Sequence, residues 1–261
     1  MTALSGQHAF ITGGGSGIGL ACARAFLRDG ASVTLVGRTE KKLAEAAAGL
    51  SGEVNGEVNY IVADITDENA IETAVKKANA NAPLSIAVAN AGTGSAGPFL
   101  TTDATEWQRV INTNLGGTFN TFKHAGQAIA ANGGGAMCAI SSIAGLRTHK
   151  LMSAYCASKA AIDMLVRNVA DELGEQNIRV NSVCPGLVET ELSQGLYMHD
   201  AMREDYLSCM PINRVGQPDD IGQAVRFLCG PESSWITGLV MPVDGGHHLR
   251  RGPNLEVMMT A

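Results

Sequence analysis

Short apolar runs alternate along the chain with longer stretches in which apolar residues recur every three or four positions. The runs at 8–12, 32–36, 58–63, 84–89, 136–140, 179–184 and 239–243 predict strands. They are apolar at successive positions, the mark of a sheet covered on both faces. The periodic stretches near 17–29, 40–50, 67–81, 104–131, 152–175 and 218–229 predict the helices between them. Strand-helix alternation of this kind implies an α/β, doubly wound fold: a seven-stranded parallel sheet with helices on both faces. The 261 residues contain no proline-rich or serine-rich linker, repeat or low-complexity tract, so a single domain over 1–261 is expected.

The stretch 187–217 has no clear strand. Leu196, Tyr197, Met198, Met202, Tyr206 and Met210 give it an apolar face. It is either an extra helix packed on the core or a flexible lid over an apolar substrate.

Glycine is abundant, at 31 residues, and its placement points to chemistry. Thr12-Gly13-Gly14-Gly15-Ser16-Gly17-Ile18-Gly19 follows the first strand and opens the first helix. Glycines let backbone amides approach a pyrophosphate, and the helix N-terminus adds partial positive charge. The spacing of Gly13, Gly17 and Gly19 is G-x-x-x-G-x-G. The second strand ends Val36-Gly37-Arg38-Thr39, with Gly37 and Arg38 where an acid would hold the ribose diol of NAD. Arg38 suits a 2′-phosphate through charge-assisted hydrogen bonds, which favours NADP. Stacking of Arg38 on adenine is the other reading and fits NAD as well. Asp64 stands where it accepts from the adenine amino group or caps the next helix, although Asp67 is the better cap.

Tyr155 and Lys159 are four residues apart in Tyr155-Cys156-Ala157-Ser158-Lys159, and Ser142 lies thirteen residues before Tyr155. A helix sets residues i and i+4 on one face. Ala154, Ala157, Ala161, Leu165 and Val169 supply a helical apolar stripe here. A cation beside a phenol stabilises the phenolate and lowers its pKa from about 10. A solvated surface pair is the bland alternative.

Charge and cysteine usage narrow the class. Nineteen Lys and Arg against 25 Asp and Glu leave a net charge of −6, and there is no basic run. A nucleic-acid partner is therefore not expected. The six cysteines form no Cys-x-x-Cys pair, and most stand in apolar surroundings, as reduced structural thiols of a cytoplasmic protein do. No Cys, His and acid cluster has metal-ligand spacing, and the rings of His247-His248 would point to opposite faces of a strand. The first residues carry neither a basic region nor a long apolar run, so no signal peptide is expected. The uncharged stretch 125–146 is broken by Gln127, Asn132, three glycines and Ser141-Ser142, so no membrane span is expected.

Taken together, these motifs resemble the short-chain dehydrogenase/reductase family over essentially the whole chain. The resemblance rests on Thr12 to Gly19, Asn90-Ala91-Gly92, Asn114 with Gly116-Gly117, Ser141-Ser142, Tyr155 to Lys159, Pro185-Gly186 to Thr190, and Val243-Asp244-Gly245-Gly246. It implies a Rossmann fold and an NAD(P)-dependent oxidoreductase that interconverts a secondary alcohol and a ketone. It implies Tyr155 as general acid and base, and Lys159 as the residue that lowers the Tyr155 pKa and binds the nicotinamide ribose. It implies Ser142 as the group that polarises the substrate oxygen, and Asn114 as holder of a water in a proton relay. Gly13, Ser16, Gly17, Ile18, Gly19, Arg38, Asp64, Asn90, Gly92, Pro185, Gly186, Val188 and Thr190 would join Tyr155 and Lys159 in binding the cofactor. Read singly, Ser142 is also a turn cap and Asn114 a buried helical amide.

The expected substrate is a hydrophobic small molecule such as a steroid, an acyl thioester or a cyclic alcohol. Enoyl- or dienoyl-thioester reduction on the same fold is an alternative, as is a non-catalytic cofactor-binding sensor. The family implies a homotetramer or homodimer built on the helices near 104–131 and 152–175. The tail after Gly246 departs from a short family ending, and reaches a neighbouring subunit's pocket or lies on the surface.

Overall fold

The sheet is held by four central strands with almost no surface. β1 (His8–Thr12) and β4 (Ile86–Ala89) are buried at every residue, β5 (Gly135–Ile140) and β6 (Ile178–Pro185) at all but one. In the computed structural model, which describes residues 3–53, 56–250 and 258, they form the middle of a parallel sheet. β2 (Ser32–Gly37) and β3 (Val58–Val62) lie on one side and β7 (Val240–Val243) on the other, in the order β3-β2-β1-β4-β5-β6-β7. The edge strands are less covered, and Tyr60 and Val62 of β3 are exposed. All seven expected strands form, with ends shifted by at most two residues.

Helices cover both faces, and each face has its own core. On one face α1 (Gly17–Arg28), α2 (Glu40–Glu53) and α10 (Pro218–Cys229) pack Phe26, Leu43, Leu50 and Val225 against Ile11, Leu35 and Val183. On the other, α3 (Glu68–Asn81), α5 (Gly117–Ala131) and α7 (Ser153–Leu173) pack Ile71, Phe122, Ile129 and Val166 against Phe10, Ala87 and Val180. Asp67 caps α3 by accepting from the Ala70 amide at 3.1 Å, as its position suggests.

Three expectations need correction. The helix expected over 104–131 is divided. α4 (Ala104–Ile111) passes through a π-helical turn, Asn112–Gly116, into α5. Such a turn adds a residue to the hydrogen-bonded ring and rotates the rest of the helix about its axis, and it buries Asn114. The core stripe of α7 is Ala154, Ser158, Ile162, Val166 and Ala170, every fourth residue. Of the expected stripe only Ala154 belongs to it, Ala157 is exposed, and Ala161, Leu165 and Val169 are half-buried. Polar residues on the buried face displaced the reading. His247-His248 is not on a strand. The pair starts a 3-10 turn, His247–Leu249, and His247 is buried.

The 187–217 stretch contains two helices, α8 (Gln194–Tyr197) and α9 (Asp200–Cys209). Leu187, Met202, Tyr206, Met210 and Val215 form a small core with Leu151, Met152 and Leu196 beside it. Met198, counted on the apolar face, is exposed.

Candidate active site

The β1–α1 turn is shaped by what it excludes. Gly13 has φ +66°, and a Cβ there would lie 2.6 Å from Asn90 Nδ2. A Cβ on Gly19 would lie 2.3 Å from the Gly13 carbonyl oxygen. No side chain fits either place. Asn90 braces the turn: its Nδ2 donates to the carbonyls of Thr12 and Gly13 at 2.9 and 3.2 Å. Ser16 stands at the N-cap of α1 with no capping bond from its hydroxyl. The turn therefore offers a helix N-terminus and close backbone to an anionic group, the cradle a pyrophosphate needs.

This turn forms one wall of a cleft of about 430 Å³. Ser16, Gly17, Ile18, Arg38, Asp64, Asn90 and Gly92 also line it, and Pro185, Gly186, Val188 and Thr190 come from the end of β6 and beyond. A Cβ on Gly17 would lie 3.2 Å from Thr190 Cγ2, so the two walls meet. Arg38 is 76 % exposed at the mouth, its guanidinium 3.8 Å from the Asp64 carboxylate. Asp64 also accepts from the backbone amide and hydroxyl of Thr66 at 2.9 and 2.8 Å, so it closes a local turn, while Asp67 is the helix cap.

At the inner end stand Ser142, Tyr155 and Lys159. Ser142 is the turn cap the sequence allowed: its hydroxyl accepts from the Ala144 amide at 3.1 Å, capping α6 (Ile143–Leu146), and it lines the cleft beside Tyr155. Lys159 Nζ lies 5.6 Å from the Tyr155 ring centre and donates to the Ile140 carbonyl at 2.8 Å. Burial pushes the ammonium down to about 8, against the pull of the Asp163 carboxylate. Burial also raises the Tyr155 pKa, and the Ser142 hydroxyl offsets part of the rise. The expected lowering of the phenol by Lys159 is not what this arrangement shows: desolvation leads the shift, and Lys159 is not among the groups that move it.

Asn114 is 1 % exposed and does not line the cleft. Its side chain accepts from the Thr93 amide at 2.8 Å and donates to the Thr93 carbonyl at 2.9 Å and Ser158 Oγ at 3.0 Å. It pins the loop after β4 to α7, directly behind Lys159. A Cβ on Gly92 would touch both residues, 3.1 Å from Asn114 Oδ1 and 3.8 Å from Lys159 Nζ.

Sequence reasoning missed Asp163. It is buried one turn beyond Lys159 and accepts from Ser182 Oγ at 2.9 Å. Its i+4 spacing from Lys159 was the available signal.

A second cavity, of about 560 Å³, opens on the far side of Ser142 and Tyr155. Gly94 to Pro98, Leu151, Met152, Leu187 and Leu196 line it, and among the described residues no Asp, Glu, Lys or Arg does. His149 and Tyr206 are its other polar side chains of note. Met258 lines it too, while residues 251–257 and 259–261 of the tail lie outside the described residues.

The chain matches the family model described as enoyl-(acyl carrier protein) reductase over residues 13–248. It is 37 % identical over 246 residues to the galactitol 2-dehydrogenase (L-tagatose-forming) of Cereibacter sphaeroides, covering 94 % of this chain and 96 % of that one. A solved short-chain type dehydrogenase/reductase from Mycobacterium ulcerans superposes with a TM-score of 0.96 at 37 % identity, over 98 % of this chain and 95 % of that one. A solved 7α-hydroxysteroid dehydrogenase, complexed with NADH and 7-oxo glycochenodeoxycholic acid, gives 0.89 at 34 % identity, over 93 % and 94 %.

Proposed function

The chain belongs to the short-chain dehydrogenase/reductase family, and from that premise we propose that it interconverts a secondary alcohol and a ketone with Tyr155 as general acid and base. One observation carries the reading. Ser142 and Tyr155 line both the polar cleft and the apolar-lined second cavity, so they stand where a cofactor and a substrate would meet. A nicotinamide dinucleotide, when bound in the cleft, supplies or accepts the hydride there. In reduction, the hydroxyls of Ser142 and Tyr155 donate to the carbonyl oxygen as negative charge develops on it. Tyr155 then releases its proton to that oxygen. The raised pKa keeps the phenol protonated at neutral pH, which is the donating form. Lys159, anchored on Ile140 and lining the cleft, keeps further N–H groups that would hold the nicotinamide ribose. Asn114 acts by fixing the wall that holds Lys159.

Exposed Arg38 at the mouth supports NADP, with NAD the alternative. The apolar lining supports a hydrophobic substrate, in the class of a steroid, an acyl thioester or a cyclic alcohol. The segment 187–217, which roofs the cavity, acts as its lid. Exposed Phe119 and Met164 on α5 and α7 support a homotetramer or homodimer through these helices. A cytoplasmic location agrees with the free cysteines and with the lack, among the described residues, of a helix long and apolar enough to cross a membrane. The matched family model's description speaks for enoyl-thioester reduction as a second reading. The placement of the Ser142 and Tyr155 hydroxyls on the wall shared by both cavities speaks for carbonyl chemistry.

Titration with NADPH and NADH, monitored by fluorescence, and then assay of ketones and enoyl thioesters tests this. Tighter NADPH binding with ketone turnover is expected. Binding without turnover would favour a cofactor sensor, and binding of neither nucleotide would overturn the reading.

A further inference from the structure

The substrate cavity has a polar feature that hydride transfer does not use. His149 lies on the loop between α6 and α7, and Tyr206 lies on α9. Both line the cavity, and they are only 7 % and 4 % exposed. Both rings pack edge-on against the buried His247 ring, with centroids 6.1 and 5.5 Å from it. Arg147 braces this base. Its Nη1 donates to the His247 carbonyl at 2.8 Å, and its own carbonyl faces His149 Nδ1 at 3.4 Å. Neither His149 Nε2 nor the Tyr206 hydroxyl makes a hydrogen bond among the described residues.

Both residues line the cavity, so a ligand oxygen bound there can supply the partner that the protein does not. We propose that His149 and Tyr206 form a second polar pole of the cavity, which binds an oxygen of the substrate remote from the reacting carbonyl. The proposal rests on the carbonyl-reducing reading and adds the substrate class: a hydroxyketone, or in the reverse direction a diol, on an apolar frame.

The donor pattern selects the group. With the Nδ1 proton directed at the Arg147 carbonyl, His149 Nε2 accepts and the Tyr206 hydroxyl donates. A hydroxyl answers both, because it donates to the imidazole and accepts from the phenol. Burial keeps the imidazole neutral, with its pKa pushed down to about 4, so it gives a carboxylate no counter-charge. Burial raises the Tyr206 pKa and keeps its hydroxyl protonated as a donor, in the same cavity that Tyr155 lines.

The test compares kcat/KM for cyclohexanone with that for 2-, 3- and 4-hydroxycyclohexanone, in wild type, Tyr206→Phe and His149→Leu. Wild type is expected to prefer at least one hydroxyketone by roughly tenfold or more, since a site built around a hydroxyl rejects the analogue lacking it. Tyr206→Phe, which removes one oxygen atom, is expected to bring that ratio toward one. A wild-type ratio near one for all three isomers, or an unchanged ratio in both variants, overturns the proposal. Calorimetric titration of the same four compounds reads the subsite without turnover. A preference in binding with no reduction of any ketone would sink the proposed reaction and keep the subsite. Equal affinities would sink the subsite alone.

Discussion

The two cavities that meet at Tyr155 are built in different ways. The cofactor cleft is shaped by backbone: Gly13 and Gly19 are tight because a Cβ would strike Asn90 or the Gly13 carbonyl. The substrate cavity is shaped by side chains on loops. A Cβ at Gly97, in its wall, would meet nothing within 4 Å. A backbone-built site recognises what is common to every nucleotide it binds. A side-chain-built site can be remodelled residue by residue while the chemistry at its edge stays in place.

That contrast can be broken by substitution. The largest effect is expected from Gly19→Ala. Its methyl group would press on the Gly13 backbone and on the Asn90 amide that braces the turn, and overpacking of this kind weakens NADPH binding by about 100-fold. Calorimetry on the folded variant checks it, and near-normal affinity would mean that the turn is not the phosphate cradle. Arg38→Ala is expected to weaken NADPH binding by about tenfold, the worth of a charge-assisted hydrogen bond, and to leave NADH binding alone. Equal losses for both nucleotides would reassign Arg38 to stacking on adenine.

Asp163→Asn tests the floor beneath the two cavities. Lys159 loses its proton near pH 8 in this site, so ketone reduction is expected to decline as pH rises past that value. The Asp163 carboxylate holds the ammonium charged, so its removal moves the decline to lower pH. A pH profile of kcat/KM reads the shift, and an unmoved alkaline limb would remove Asp163 from the positioning of Lys159. Gly97→Ala is expected to do least. With open space around the new methyl, NADPH affinity stays within about twofold, as for surface changes away from special features.

The same contrast explains what the sequence made legible. The strands could be read because central strands buried on both faces leave unbroken apolar runs, as in Phe10-Ile11 and Ala136 to Ile140. The cleft could be read because its parts are short contiguous turns: Gly13 to Gly19, Asn90 to Gly92, Pro185 to Thr190. The π-helical turn at Asn112–Gly116 was hidden, since apolar residues run on through it every fourth position, at Ile111, Leu115 and Phe119. The face of α7 was misplaced because Ser158, Lys159 and Asp163 occupy positions that a core normally gives to apolar side chains. His149 and Tyr206 are 57 residues apart and come together only when α9 folds back over the α6–α7 loop. No local pattern announces such a pair.

Everything proposed for the reaction turns on the phenol at the shared wall. Tyr155→Phe removes only its oxygen, so the direct measurement is single-turnover ketone reduction with pre-bound NADPH, beside a calorimetric titration of the same variant. The account predicts near-normal NADPH binding and a reduction rate lower by about 10³-fold, within the usual worth of a general acid. A variant that binds NADPH and reduces ketone at the wild-type rate would contradict it.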